Sequence, residues 1–163
     1  MLYWWFNIKR NSVKDKLNVF PHSVWSSGEI NNSTSQFKKL NATDIITDEY
    51  SFIGHSSIKI SPNDITKEWY INVDGNNLFN EIGKTVVLTV DVYSSINCQL
   101  VIYDRTDKYN ASSINIPADT PGTYHVSRQI SNNAIYEWYR VSCSAANSES
   151  DFIFVDNWRL NIQ

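Results

Sequence analysis

The 163-residue chain offers little to a search for covalent or metal chemistry. Its three histidines, His22, His55 and His125, have no neighbours at metal-ligand or triad spacing. No Gly-x-Ser-x-Gly elbow, His-Glu-x-x-His pair or phosphate-cradling glycine loop occurs. Glycoside hydrolysis needs two carboxyl groups about 5–10 Å apart across a cleft. Asp91 and Glu137 are the conceivable pair, but solvated or hydrogen-bonded carboxylates are far commoner than catalytic ones, so the chain is read as not an enzyme. The two cysteines, Cys98 and Cys143, are too few for a zinc ribbon. Free, buried thiols are expected, with a single disulfide as the minority alternative; a bridge needs Cα atoms within about 7 Å.

Aromatic rings beside polar side chains carry more information. Aromatics make up 13% of the chain, with six Trp and nine Tyr, which is too much ring surface for a disordered polymer. Sugars present flat C–H faces that stack on rings, and hydroxyls that need amides, carboxylates or guanidinium groups. A sheet face that binds glycan therefore mixes Trp and Tyr with Gln, Asn, Asp and Arg. Such a set is present: Trp138, Tyr103, Tyr93, Tyr70, Arg105, Arg140, Gln99 and Asp91. Each lies opposite the apolar parity of its own strand. Trp138, Tyr103 and Tyr93 form the expected centre on one sheet face, with Arg105 and Gln99 as hydroxyl partners. Clustered exposed apolar surface marks an interaction site. The competing reading is that these residues cover a second layer or a protein interface. Trp69 and Trp158 have core parity, and Trp4, Trp5 and Trp25 lie outside clear strands.

Strands must position these residues, because period-two alternation dominates the chain. In Lys84–Ser94, Val86, Leu88, Val90 and Val92 share one face, while Val87, Thr89, Asp91 and Tyr93 share the other. Asn97–Arg105, Thr123–Ile130 and Ile135–Ser144 alternate in the same way. Asp151–Ile162 reads as a long closing strand with a bulge near Asp156-Asn157. Shorter strands are expected at Ser57–Ser61 and Trp69–Val73, and the Ser94–Asn97 turn reads as a hairpin. Helical signals are confined to single turns at Ser12–Leu17 and Leu78–Ile82. Many short strands with few helices predict an all-β, two-sheet antiparallel sandwich of the jelly-roll type. An irregular N-terminal arm spans 1–20, and a single domain spans 21–163, with a long loop over Ser26–Asn41. Val86, Leu88, Val90, Leu100, Ile102, Val126, Val141 and Leu160 form the expected core, since a one-residue slip would invert them all.

Net charge is −3, so the basic footprint of a nucleic-acid binder is missing. No apolar run approaches the roughly 20 residues of a membrane span. Met1–Phe6 is followed by Asn7, Lys9 and Arg10 without the hydrophobic stretch and cleavage site of a signal peptide. Asn-x-Ser/Thr matches at Asn31, Asn32, Asn41 and Asn110 are weak indications of a surface location.

Two segments resemble the jelly-roll carbohydrate-binding modules of the cellulose- and xylan-binding type, which share a galactose-binding-like sandwich. In Tyr50–Ile60, Gly54 precedes Ser57-Ile58-Lys59-Ile60 as a glycine precedes a strand in those modules. The C-terminal run, with Asp156-Asn157-Trp158-Arg159-Leu160, is similar to their closing strand. The resemblance covers about residues 50–163. It implies a structural Ca²⁺ tying the first strand to the last, with Asp156 as a ligand beside backbone oxygens near His55–Ser57. The family's N-terminal Phe-Glu-x-Gly pattern is not matched, because Pro21 follows Phe20. The implied function is non-catalytic attachment to a glycan or polysaccharide, outside the cell, on a cell-surface adhesin or a virion tail or fibre protein. The alternative is a purely structural module whose aromatic face contacts a host structural protein or another copy of itself.

Overall fold

A computed structural model of the chain describes residues 25–26, 29–30, 37–74, 82–105, 109–131 and 136–163. Of 25–26, 29–30, 74, 104–105, 109–110 and 136 it describes the backbone alone. The expected arm at 1–20 and the turns at Ser12–Leu17 and before Ile82 lie outside these residues.

All regular elements among the described residues are strands. They are β1 (Trp25–Ser26), β2 (Glu29–Ile30), β3 (Lys38–Leu40), β4 (Ala42–Thr47), β5 (Ser57–Pro62), β6 (Trp69–Asp74), β7 (Thr85–Ser94), β8 (Cys98–Arg105), β9 (Tyr109–Ile116), β10 (Gly122–Gln129), β11 (Tyr136–Cys143) and β12 (Ile153–Ile162). The first five-stranded sheet runs β10-β7-β12-β5-β4 and the second β3-β6-β11-β8-β9, with β1 and β2 paired separately. Every pairing is antiparallel. The fold is the expected all-β jelly-roll sandwich.

Apolar side chains of one parity from each sheet meet between the layers. All eight expected core residues are buried, and Trp69 and Trp158 are fully enclosed among them. Phe37 meets Trp158 edge-on at 5.5 Å. Two polar contacts bridge the sheets at the open edges. Lys39 of β3 pairs with Asp44 of β4 at 2.7 Å, and Arg128 of β10 donates to Ser112 of β9 at 3.3 Å. The closing strand is bulged where expected: its register with β7 shifts between Asp156 and Arg159, and Asn157 has φ 46°. Asn is among the few side chains that tolerate this left-handed conformation.

Three expectations are corrected. The Ser94–Asn97 turn is not a hairpin, because β7 lies in the first sheet and β8 in the second. The short link carries the chain across the sandwich, with the Ile96 amide donating to Ser94 Oγ at 3.3 Å. Five strands, β1, β2, β3, β4 and β9, go beyond the expected set, and β2 and β3 lie within the stretch read as a long loop; β4 and β9 are edge strands with little apolar alternation. The cysteines are joined rather than free: Cys98 and Cys143 are direct cross-strand partners on β8 and β11, with Cα atoms 4.2 Å apart and a disulfide between them.

Candidate functional site

Register fixes which side chains share the solvent face of the second sheet. Reading from β3 to β9, one row is Leu40, Tyr70, Ser142, Gln99 and Asn115. The next is Lys38, Asn72, Arg140, Val101 and Ser113. A third contains Trp138, Tyr103 and Ala111. All have the parity opposite to Ile71, Val141, Leu100 and Ile102, which fill the core. Alternation along β6, β8 and β11 thus delivers Tyr70, Gln99, Tyr103, Trp138 and Arg140 to one face, as the sequence predicts.

Arg140 stands at the centre of this face. Its guanidinium carbon lies 3.7 Å from the Tyr70 ring centroid, 4.8 Å from Tyr103 and 5.7 Å from Trp138. Tyr103 and Trp138 meet edge-on at 6.4 Å. A planar cation among rings is attracted by their electron-rich faces, so the three aromatics are held around a shared post. Arg140, expected on the ligand-binding face, is therefore built into the platform itself. The long side chains lie over the strand beneath, and Val101 and Asn72 are buried despite their outward parity.

Beside the platform runs an open groove of about 700 Å³, lined by Glu68, Gln99, Tyr103, Asn115, Ser142 and the Asn97–Cys98 end of β8. Its polar groups are already ordered. Ser142 donates to Glu68 Oε1 at 2.6 Å, and Gln99 Nε2 donates to Asn115 Oδ1 at 3.2 Å. Glu68 also faces Arg140 at 3.9 Å. Among the described residues the groove thus offers one aromatic wall, three amides, two serine hydroxyls and one carboxylate. Glu68 and Asn115 were missed in the sequence, since Glu68 precedes its strand and Asn115 lies on the polar edge strand β9.

Tyr93 and Asp91 do not belong to this face. Both point outward from β7 of the first sheet, so the expected eight-residue set is split between opposite sides of the sandwich. Parity assigns a face within a strand; it cannot say which sheet the strand joins. Tyr93 instead joins Tyr50, Phe52, Phe152 and Phe154, with centroids 5.0 to 6.2 Å apart between the contacting rings. Of Arg105 the backbone alone is described, at the expected place on β8 opposite Tyr136. Asp91 and Glu137 cannot flank one cleft. Asp91 faces out of the first sheet, while Glu137 is buried with inward parity on the second and accepts from the Tyr139 hydroxyl at 2.5 Å.

Asp156, the expected calcium ligand, is fully buried beside its cross-strand partner Asp91. Its Oδ2 accepts the backbone N–H groups of Phe52 at 2.8 Å and Ile53 at 3.1 Å, and Oδ1 accepts that of Asn157 at 2.7 Å. Burial raises its pKa above the ordinary carboxylate value, assisted by the Asp91 charge and opposed by the three N–H donors. The nearby carbonyls are engaged too, Tyr50 by the Ser57 hydroxyl at 2.5 Å and Gly54 by the Ser51 hydroxyl at 3.2 Å. Ca²⁺ takes six to eight oxygen ligands. Both Asp156 oxygens and the neighbouring Tyr50 and Gly54 carbonyls accept protein donors, and no group of three or more His, Cys, Asp or Glu among the described residues could hold a metal ion. The described residues do not fit the expected calcium site.

No family model matches the chain, and no curated protein matches it in sequence. Solved structures do match. The CBM22-1 xylan-binding domain of Paenibacillus barcinonensis Xyn10C superposes with a TM-score of 0.60 at 11% identity, covering 80% of this chain and 87% of that one. The C-terminal family 22 carbohydrate-binding module of Clostridium thermocellum Xyn10B gives 0.63 at 11% identity, over 87% of this chain and 95% of that one. The enzymatically active domain of bacteriophage CBA120 tailspike protein 4 gives 0.63 at 15% identity, over 90% of this chain but 22% of the tailspike chain. At such identities the likeness establishes a shared fold: this chain has the β-sandwich of carbohydrate-binding modules.

Proposed function

We propose that the chain is a non-catalytic module that binds glycan on the outer face of its second sheet. The observation that carries this reading is the aromatic platform of Tyr70, Tyr103 and Trp138 beside a groove edged by Gln99, Asn115, Ser142 and Glu68. A sugar ring stacked at Tyr103 would have amide, hydroxyl and carboxylate groups within reach of its hydroxyls, replacing hydrogen bonds to water that burial would otherwise leave unmade. Among the described residues the groove is lined by one carboxylate, Glu68, where hydrolysis calls for two. Sharing a fold with xylan-binding modules supports the class of ligand, and likeness to a tailspike domain supports a place outside the cell, on a surface or a virion.

A panel of soluble xylo-, cello-, manno- and galacto-hexaoses tests this by calorimetry. Binding in the micromolar to millimolar range, about 4–8 kcal/mol, is expected for at least one. Tyr103→Ala and Trp138→Ala should abolish it while retaining the fold, since both rings are half-exposed on a sheet surface. Failure of every sugar to bind would refute the proposal.

A second reading rests on the opposite face. The five rings around Tyr93, with Ile45 and Ile53 exposed by 58% and 39%, present apolar surface suited to protein contact or self-association. A dimeric mass in solution that reverts to monomer in Ile45→Lys would support it.

A further inference from the structure

We propose that Asp156 is a metal-independent latch, doing with backbone hydrogen bonds what the resemblance assigns to calcium. The closing strand must be tied to the loop that precedes β5. In this chain Asp156 ties it directly, through the Phe52 and Ile53 amides. Two hydroxyls close the same loop on itself: Ser57 onto the Tyr50 carbonyl and Ser51 onto the Gly54 carbonyl. Gly54, at φ 71°, supplies the left-handed turn that this closure uses.

The neighbouring acid is satisfied in the same manner. Asp91 accepts the Thr123 hydroxyl at 2.6 Å through Oδ1 and the Asn157 side-chain amide at 3.0 Å through Oδ2. Three donors on Asp156 and two on Asp91 therefore stabilise two adjacent buried carboxylates. Buried charge is costly unless it is paired or hydrogen-bonded; these donors meet that need without a cation. The network joins β10, β7, β12 and the 50–56 loop. It also sets the loop's rings in place, with Tyr50 packed 5.0 Å from Tyr93 and 5.5 Å from Phe154.

The test is a thermal melt of the whole chain, stripped with chelator and then measured in matched ionic strength with calcium chloride or magnesium chloride. The latch predicts superimposable melts in all three buffers. A saturable rise in melting temperature specific to calcium would overturn it, because a ligand that binds the folded state must stabilise it by mass action. Amide exchange of the wild-type protein gives an independent readout. Phe52 and Ile53 should be protected in chelator and unchanged by calcium; protection that develops only with calcium would also overturn the proposal. Neither measurement depends on glycan binding.

Discussion

Replacing Arg140 with Met separates the guanidinium from the stem that carries it. Met keeps most of the apolar length that covers Val101, and removes the charged plane. Three ring contacts are lost. The one to Tyr70, at 3.7 Å and shielded from solvent, belongs near the upper end of cation–π energies, about 1–2 kcal/mol. Those to Tyr103 and Trp138, at 4.8 and 5.7 Å, contribute about 0.5 kcal/mol each. The Glu68 contact at 3.9 Å adds little, since half the Glu68 side chain is exposed. Against these stands the cost of an arginine side chain only 12% exposed, whose Nε has no hydrogen-bond partner among the described residues. The attractive contacts should win by about 1–2 kcal/mol, a fall in melting temperature of roughly 2–8 °C for a domain of this size. Denaturant titration at constant slope would measure it. The hexaose that binds the wild type should bind R140M more weakly, because Tyr103 and Trp138 lose their common post. A variant as stable as the wild type or more so would show that desolvation outweighs the ring contacts, and that Arg140 is retained for some purpose other than holding the platform.

Leu88→Ala removes a fully buried side chain between Val126 and Leu160 and should cost about 2–5 kcal/mol by chemical denaturation. Neither native nor unfolded protein should react with a thiol reagent until reductant is added, after which both cysteines should react. The Cys98→Ser, Cys143→Ser pair of substitutions, which opens a loop with a sequence separation of 45, should cost about 4 kcal/mol on the chain-entropy account. Asp156 has its folded-state pKa raised by burial, so the folded state binds the proton more tightly than the unfolded one. Relative to Asp156→Ala, the wild type should therefore gain stability as pH falls from neutral through the raised pKa. Asp64 behaves oppositely: hydrogen bonds from Lys67 and Thr66 lower its pKa to about 2, so its contribution is present above the ordinary value of 3.8 and is lost as pH falls through about 2. A titration followed by side-chain carboxyl NMR would check both directions.

Strands with strong alternation were legible because burying one face imposes a period of two. Val86 to Val92 and Leu100 to Ile102 could be read without knowing their partners. The outward residues of β6, β8 and β11 followed from the same rule, and so did most of the platform. The sheet to which each strand belongs was not legible. The link from Ser94 to Cys98 is as short as a hairpin loop, and its crossing between layers depends on pairings with β12 and β11 far along the chain. That single fact moved Tyr93 and Asp91 to the opposite side. It also lies behind the disulfide, since β8 pairs with β11 in a register that places Cys98 opposite Cys143. Edge strands such as β9 have little to bury on either side, so Tyr109–Ile116 carries no clear apolar alternation, and Asn115 was hidden with it.

The central claim is that glycan binds the outer face of the second sheet. Amide chemical-shift mapping of the isotopically labelled protein, titrated with whichever hexaose gives calorimetric heat, tests it most directly. Perturbations should concentrate at Gln99, Tyr103, Asn115, Trp138 and Ser142, with the Tyr93 and Phe154 face unmoved. Perturbations centred on Tyr50, Tyr93 and Phe154 would contradict the account, as would an unchanged spectrum across the whole panel.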